Sequence, residues 1–167
     1  ASGALYLSTG DASSGHGGNI ELKVGNADSG AGGSILLDAG LTEDQWGGKI
    51  QLTTGRSVAS SSGAMVLQSA NAGNAGVSGA ISILTGTASA GNSGGLYVTS
   101  GSATSGRGGA IYVAVGSGNS GSGGEIFIHG GTSSGTSGGR VTVLAGYSST
   151  TTSGDLVLGT MNAGALG

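Results

Sequence analysis

The sequence predicts an all-β fold: a single parallel β-solenoid, or β-helix, over residues 1–167, with about eleven stacked coils of fifteen residues, a flattened two-sheet cross-section and no helices. Three observations predict it. A small residue follows each apolar segment at a fixed interval: Gly10, Gly25, Gly40, Gly55, Ala70, Gly86, Gly101, Gly116, Gly131 and Gly146, with Met161 ending the series. Seven places before each of these anchors stands Gly3, Gly18, Gly33, Gly48, Gly63, Gly79, Gly94, Gly109, Gly124, Gly139 and Gly154. Five and three places before each anchor the residue is always aliphatic or Met, as in Ile20 and Leu22, Ile50 and Leu52, or Ile111 and Val113. Repetition at a fixed period is the signature of stacked repeat units.

Within a unit, apolar residues two apart follow the strand period, so both face one way. Glycines bound this segment, and a second short segment follows with Ala12, Ala27, Ala72, Ala88 or Ala103 at its centre. Alternation turns that alanine inward, opposite the large aliphatic pair; a three-sided coil with a minimal third face also fits the spacing. The doublets at Gly17–Gly18, Gly32–Gly33, Gly47–Gly48, Gly108–Gly109, Gly123–Gly124 and Gly138–Gly139 suit a corner that needs positive φ or close backbone approach. One step, from Ala70 to Gly86, is sixteen residues, and the extra residue falls within 71–78 as a small bulge in a turn. Two aliphatic side chains per coil contribute less than ordering fifteen residues costs, so stability has to come from stacking. Neither terminal coil carries an evident cap, which suggests a segment of a longer array with open strand edges.

Composition narrows the function classes. The chain has 167 residues, 40 of them glycine, with no proline and no cysteine. Only 13 residues are charged, the sum of 5 basic and 8 acidic, which separates the chain from charged, proline-rich disordered segments. Its five basic residues, Lys23, Lys49, Arg56, Arg107 and Arg140, are scattered, which argues against a nucleic-acid partner. No apolar run reaches the ~20 residues of a membrane span, so membrane insertion is not expected.

The Gly/Ser-rich stretches at 70–79 (ANAGNAGVSG), 84–94 (LTGTASAGNSG) and 115–124 (VGSGNSGSGG) carry a resemblance. They resemble Gly/Ser-rich β-solenoid repeat proteins of diatoms and related microalgae, most clearly from about residue 60 onward. The resemblance implies a secreted or surface-associated protein carrying a repeat array. It supplies no catalytic residues.

Reactive chemistry is sparse. Asp11, Glu21, Asp28, Asp38, Glu43, Asp44, Glu125 and Asp155 fall in different columns, so stacking brings no pair together. Asp38, Glu43 and Asp44 form a small acidic group suited at most to weak cation binding. No column repeats Asp, as a calcium-binding Gly-rich solenoid requires. His16 and His129 lack a partner histidine at ligand spacing, so no metal site is expected. No base and orienter accompany the many serines, so neither an enzyme nor a cofactor is expected.

Two faces remain as candidate surfaces. The outward column contains Tyr97, Tyr112 and Phe127 on three successive coils, with Leu84 and Leu144 one column across. Stacked coils make these an aromatic ladder, a lateral interface or a surface for a polymer such as polysaccharide. On the opposite face stand Thr87 and Ser89, Ser102 and Thr104, Ser117 and Asn119, and Thr132 and Ser134. On a flat sheet these two columns would resemble an ice-binding array. Trp46 falls in the irregular turn 41–47 and is expected to cover a gap over the third coil. The leading expectation is a structural or adhesive rod, extracellular or at the cell surface, associating end to end or side to side: a filament subunit or a segment of a surface protein. An ice- or polysaccharide-binding solenoid is the alternative.

Overall fold

The computed structural model describes residues 2–161. Ala1 and the tail 162–167, on which the reading of uncapped ends rests, lie outside them. The described residues form no strand and no helix. The β-solenoid, or β-helix, is therefore corrected: successive segments are extended but do not pair into sheets, and the two-sheet cross-section is not formed.

The fifteen-residue period nevertheless shapes the backbone. Bends fall at 13–15, 28–30, 43–45, 58–60, 74–76, 89–91, 104–106, 119–122, 134–136 and 149–151. Each bend tops a loop that starts at an anchor and ends at the next invariant glycine, as in 10–18, 25–33 and 40–48. Seven-step extended arms, such as 18–25 and 48–55, connect one loop to the next. The chain divides into two units, Ala1–Ser82 and Ile83–Gly167. The first contains the loops from 10–18 to 70–79 and the second those from 86–94 to 146–154.

At four positions the invariant glycine has a specific steric cause. At the foot of each loop, the residue just before the anchor lies over the glycine that closes the loop. A Cβ added at Gly33 would lie 2.7 Å from Val24 Cγ1, and one at Gly124 would lie 2.7 Å from Val115 Cγ1. At Gly48 it would meet Gly40 N at 2.8 Å and Ala39 Cβ at 3.0 Å. Close approach, not left-handed backbone, excludes a side chain at Gly33, Gly48, Gly124 and Gly139, since no glycine of the column has positive φ; at Gly63, Gly79 and Gly94 an added Cβ would make only ordinary contact, at 3.7–4.0 Å. Positive φ occurs instead inside the bends, at Gly30 (φ 87°) and Gly121 (φ 77°) among others.

No residue among those described is buried. The accessible surface is 16969 Å², against roughly 7,200 Å² for a folded monomer of this mass and roughly 22,000 Å² for its extended chain. The best-covered residues lie at the loops: Thr42, Ser57 and Ser148 inside them, and Thr54, Ser69 and Gly130 at or beside their feet. Side-chain alternation survives as a gradient, with Ile111 53% exposed and Tyr112 beside it 91%. The alanines Ala12, Ala27, Ala72, Ala88 and Ala103, expected to point inward, are exposed. So is Trp46, at 93%, which covers no gap.

The physical reason is a competition between local and distant pairing. A loop foot closes over eight or nine residues, whereas sheet pairing between coils must fix whole units at once. Glycine, at 40 of 167 positions, raises that ordering cost further. Without a common core there is no set of contacts to be lost together. In dilute solution the circular dichroism signal should therefore drift smoothly on heating. A sigmoidal transition would show a packed state and contradict this fold.

Candidate interaction surface

The arms carry the apolar chemistry. Each presents the aliphatic pair on one side and the intervening residue on the other, with both sides open to solvent. The 109–116 arm shows this most fully: Ile111 and Val113 on one side, Tyr112 on the other, and no charge from Gly108 to Gly124. Two side-chain contacts confirm the two-residue alternation. Lys49 Nζ donates to Gln51 Oε1 at 2.6 Å, and Gln51 Nε2 donates to Thr53 Oγ1 at 3.3 Å. Phe127 and His129 likewise share a side, with ring centroids 5.0 Å apart and planes inclined by 49°. His129 Nδ1 donates to Gly130 O at 2.8 Å when it carries the proton.

Phe127 thus finds its ring neighbour two residues along its own arm. Tyr97, Tyr112 and Phe127 are 81–91% exposed, and Leu84 and Leu144 are 83% and 85% exposed. The structure does not assemble them into a ladder.

Thr87, Ser89, Ser102, Thr104, Ser117, Asn119, Thr132 and Ser134 all lie in loops. In each pair the first residue follows the anchor and the second opens the bend, as with Thr132 and Ser134 in the 131–139 loop. All are exposed, and no sheet holds them to a common plane.

Between the two members of such a pair lies the position expected to hold an inward alanine. In four loops it is a hydroxyl residue, and there it organises the bend. Thr42 Oγ1 accepts from the backbone N–H of Asp44 at 3.4 Å and of Gln45 at 3.3 Å. Ser57 Oγ accepts from Ala59 at 3.3 Å and Ser60 at 2.9 Å. Ser133 Oγ accepts from Gly135 at 3.3 Å and Thr136 at 3.0 Å. Ser148 Oγ accepts from Thr150 at 3.3 Å and Thr151 at 3.0 Å. These are local side-chain-to-backbone turns of the kind Ser and Thr favour.

The same four loops close at the foot. Gly48 N–H donates to Gly40 O at 2.8 Å, Gly63 to Gly55 at 3.0 Å, Gly139 to Gly131 at 2.8 Å and Gly154 to Gly146 at 2.9 Å. These four are the backbone-to-backbone hydrogen bonds among the described residues. The 10–18 loop has a different link, from Thr9 Oγ1 to Gly18 O at 3.3 Å.

Among the described residues there is no pocket, and no group of three or more His, Cys, Asp or Glu side chains that could hold a metal ion. Asp38, Glu43 and Asp44 do not form such a group. No helix among the described residues is long and apolar enough to cross a membrane. Compared with protein-family models, with curated proteins and with solved structures, the chain matches none of them.

Proposed function

We propose that the chain is a structural or adhesive protein that works by associating with further copies of itself through the exposed arms. The observation that supports this reading is the uncovered apolar pair in every arm. A chain with Ile50 54%, Ile81 55% and Ile126 52% exposed leaves aliphatic surface in water throughout its length. The accessible area exceeds that of a packed monomer by more than the ~1,600 Å² of a standard interface several times over. Backbone groups along the arms also lack protein partners, and unpaired extended segments accept a second chain.

A second copy fits these arms better than a charged partner, because an uncharged apolar arm such as 109–116 offers nothing to a charged surface and matches itself. Copies of one chain also present the same fifteen-residue spacing to each other, so one contact brings the next within reach. The extracellular or cell-surface setting rests on the resemblance of the Gly/Ser-rich stretches to secreted microalgal repeat proteins.

Light scattering and negative-stain electron microscopy of the purified chain in neutral buffer test the reading. The expected result is growth of assemblies with protein concentration. A monomer at every concentration from micromolar to millimolar would overturn it.

A further inference from the structure

Two kinds of loop occur along the chain, and two positions separate them. One position immediately precedes the bend, and the other is the bend's third residue. In the closed loops these are Thr42 and Gln45, Ser57 and Ser60, Ser133 and Thr136, and Ser148 and Thr151. In the other six they are Ala12 and Gly15, Ala27 and Gly30, Gly73 and Gly76, Ala88 and Gly91, Ala103 and Gly106, and Gly118 and Gly121. Every loop with a hydroxyl before the bend has a non-glycine residue third in it and a backbone hydrogen bond at its foot. Every loop with Ala or Gly there has glycine third, and no such bond.

We propose that this residue pair is a conformational switch written into each loop: a hydroxyl before the bend closes the foot, and glycine in the bend leaves it open. The hydroxyl oxygen binds two successive N–H groups and so fixes the direction in which the chain leaves the bend. That direction brings the closing glycine's N–H onto the anchor's carbonyl. In two loops the hydroxyls also pair across the bend, Ser133 with Thr136 at 3.3 Å and Ser148 with Thr151 at 3.0 Å. Glycine at the third position instead permits backbone that a side chain strains, as at Gly30 and Gly121, and leaves the exit direction free. Closed loops act as fixed joints between arms, and open loops act as hinges. The closed loops stand in adjacent pairs, 40–48 with 55–63 and 131–139 with 146–154, one pair within each unit.

Amide hydrogen exchange of the full chain, resolved by nuclear magnetic resonance, tests the switch in both directions. Ser57→Ala should lower the protection of the Gly63 amide about fivefold, the effect of losing one hydroxyl cap, while Ser57→Thr preserves it. Gly48, Gly139 and Gly154 serve as internal controls. The converse variant combines Ala103→Ser with Gly106→Thr. Gly106 has open space for a side chain and no positive φ, so the change is sterically free. It should raise protection at Gly109 about fivefold by the same cap. Unchanged protection at Gly63 in Ser57→Ala, or no gain at Gly109, would overturn the proposal. So would amides at Gly48, Gly63, Gly139 and Gly154 no better protected than Gly109 in the unaltered chain.

Discussion

Gly48→Ala is expected to break the foot of the 40–48 loop and lower the protection of its amide about tenfold, in line with the usual cost of overfilling a close contact. The added methyl meets the Gly40 backbone nitrogen at 2.8 Å and the Ala39 Cβ at 3.0 Å, and neither can swing aside. The Gly48 N–H to Gly40 O bond at 2.8 Å then has to lengthen. Gly40→Ala is the matched control. It alters the other glycine of the same bond, yet its Cβ would enter open space. Hydrogen exchange should therefore separate two chemically identical substitutions eight residues apart. Equal loss in both would mean that glycine stands at these feet for backbone freedom and not for close approach. The Thr42 bonds to Asp44 and Gln45 should survive in the Gly40 variant, because they lie within the bend.

The second large effect concerns assembly. Replacing Tyr112 and Val113 together, as Tyr112→Lys with Val113→Lys, sets a charge on each side of the 109–116 arm. In stacked copies those charges would face their own images at short range, which charged residues on strand edges use to block pairing. The expected result is at least a tenfold fall in assembled mass at fixed concentration, read by light scattering. Protection of the Gly139 and Gly154 amides should be unchanged, since their bonds lie outside the altered arm. Assembly at the original level would remove this arm from the interface. A parallel test with Lys49→Glu and Arg56→Glu, which alters charge but no apolar position, should leave assembly nearly intact.

Much of the local structure was legible in the sequence. The glycine columns located every loop foot, and the single sixteen-residue step was matched by a bend displaced by one position, at 74–76. Alternation of Ile111, Tyr112 and Val113 foretold which side chains share a side. Whether arms pair with each other was not legible. A two-residue alternation specifies the faces of a segment, but pairing depends on a balance of ordering cost against distant contacts, which the pattern leaves open. Treating Ala12, Ala27, Ala72, Ala88 and Ala103 as an inward column also passed over Thr42, Ser57, Ser133 and Ser148 at the equivalent place. Those exceptions carried the signal of the loop foot, together with Gln45, Ser60, Thr136 and Thr151 in place of glycine. Stacking of Tyr97, Tyr112 and Phe127 required sheet pairing that the structure does not make, and with no interior every side of the arms is outward.

The 70–79 loop shows how far the repeat tolerates change. Its extra residue enters on the rising side, before the bend, and Ser69 still lies over Gly79, where an added Cβ would sit 3.7 Å away. The closing glycine thus keeps its neighbour from before the anchor while the length of what lies between varies. Lengthening a flexible loop is thermodynamically mild, about 0.6 kcal/mol for a doubling. Sequence can accordingly accumulate at 71–73 without disturbing the arms on either side. Each loop is then a place where residues can be added locally, while the arms on either side keep their own seven-step length.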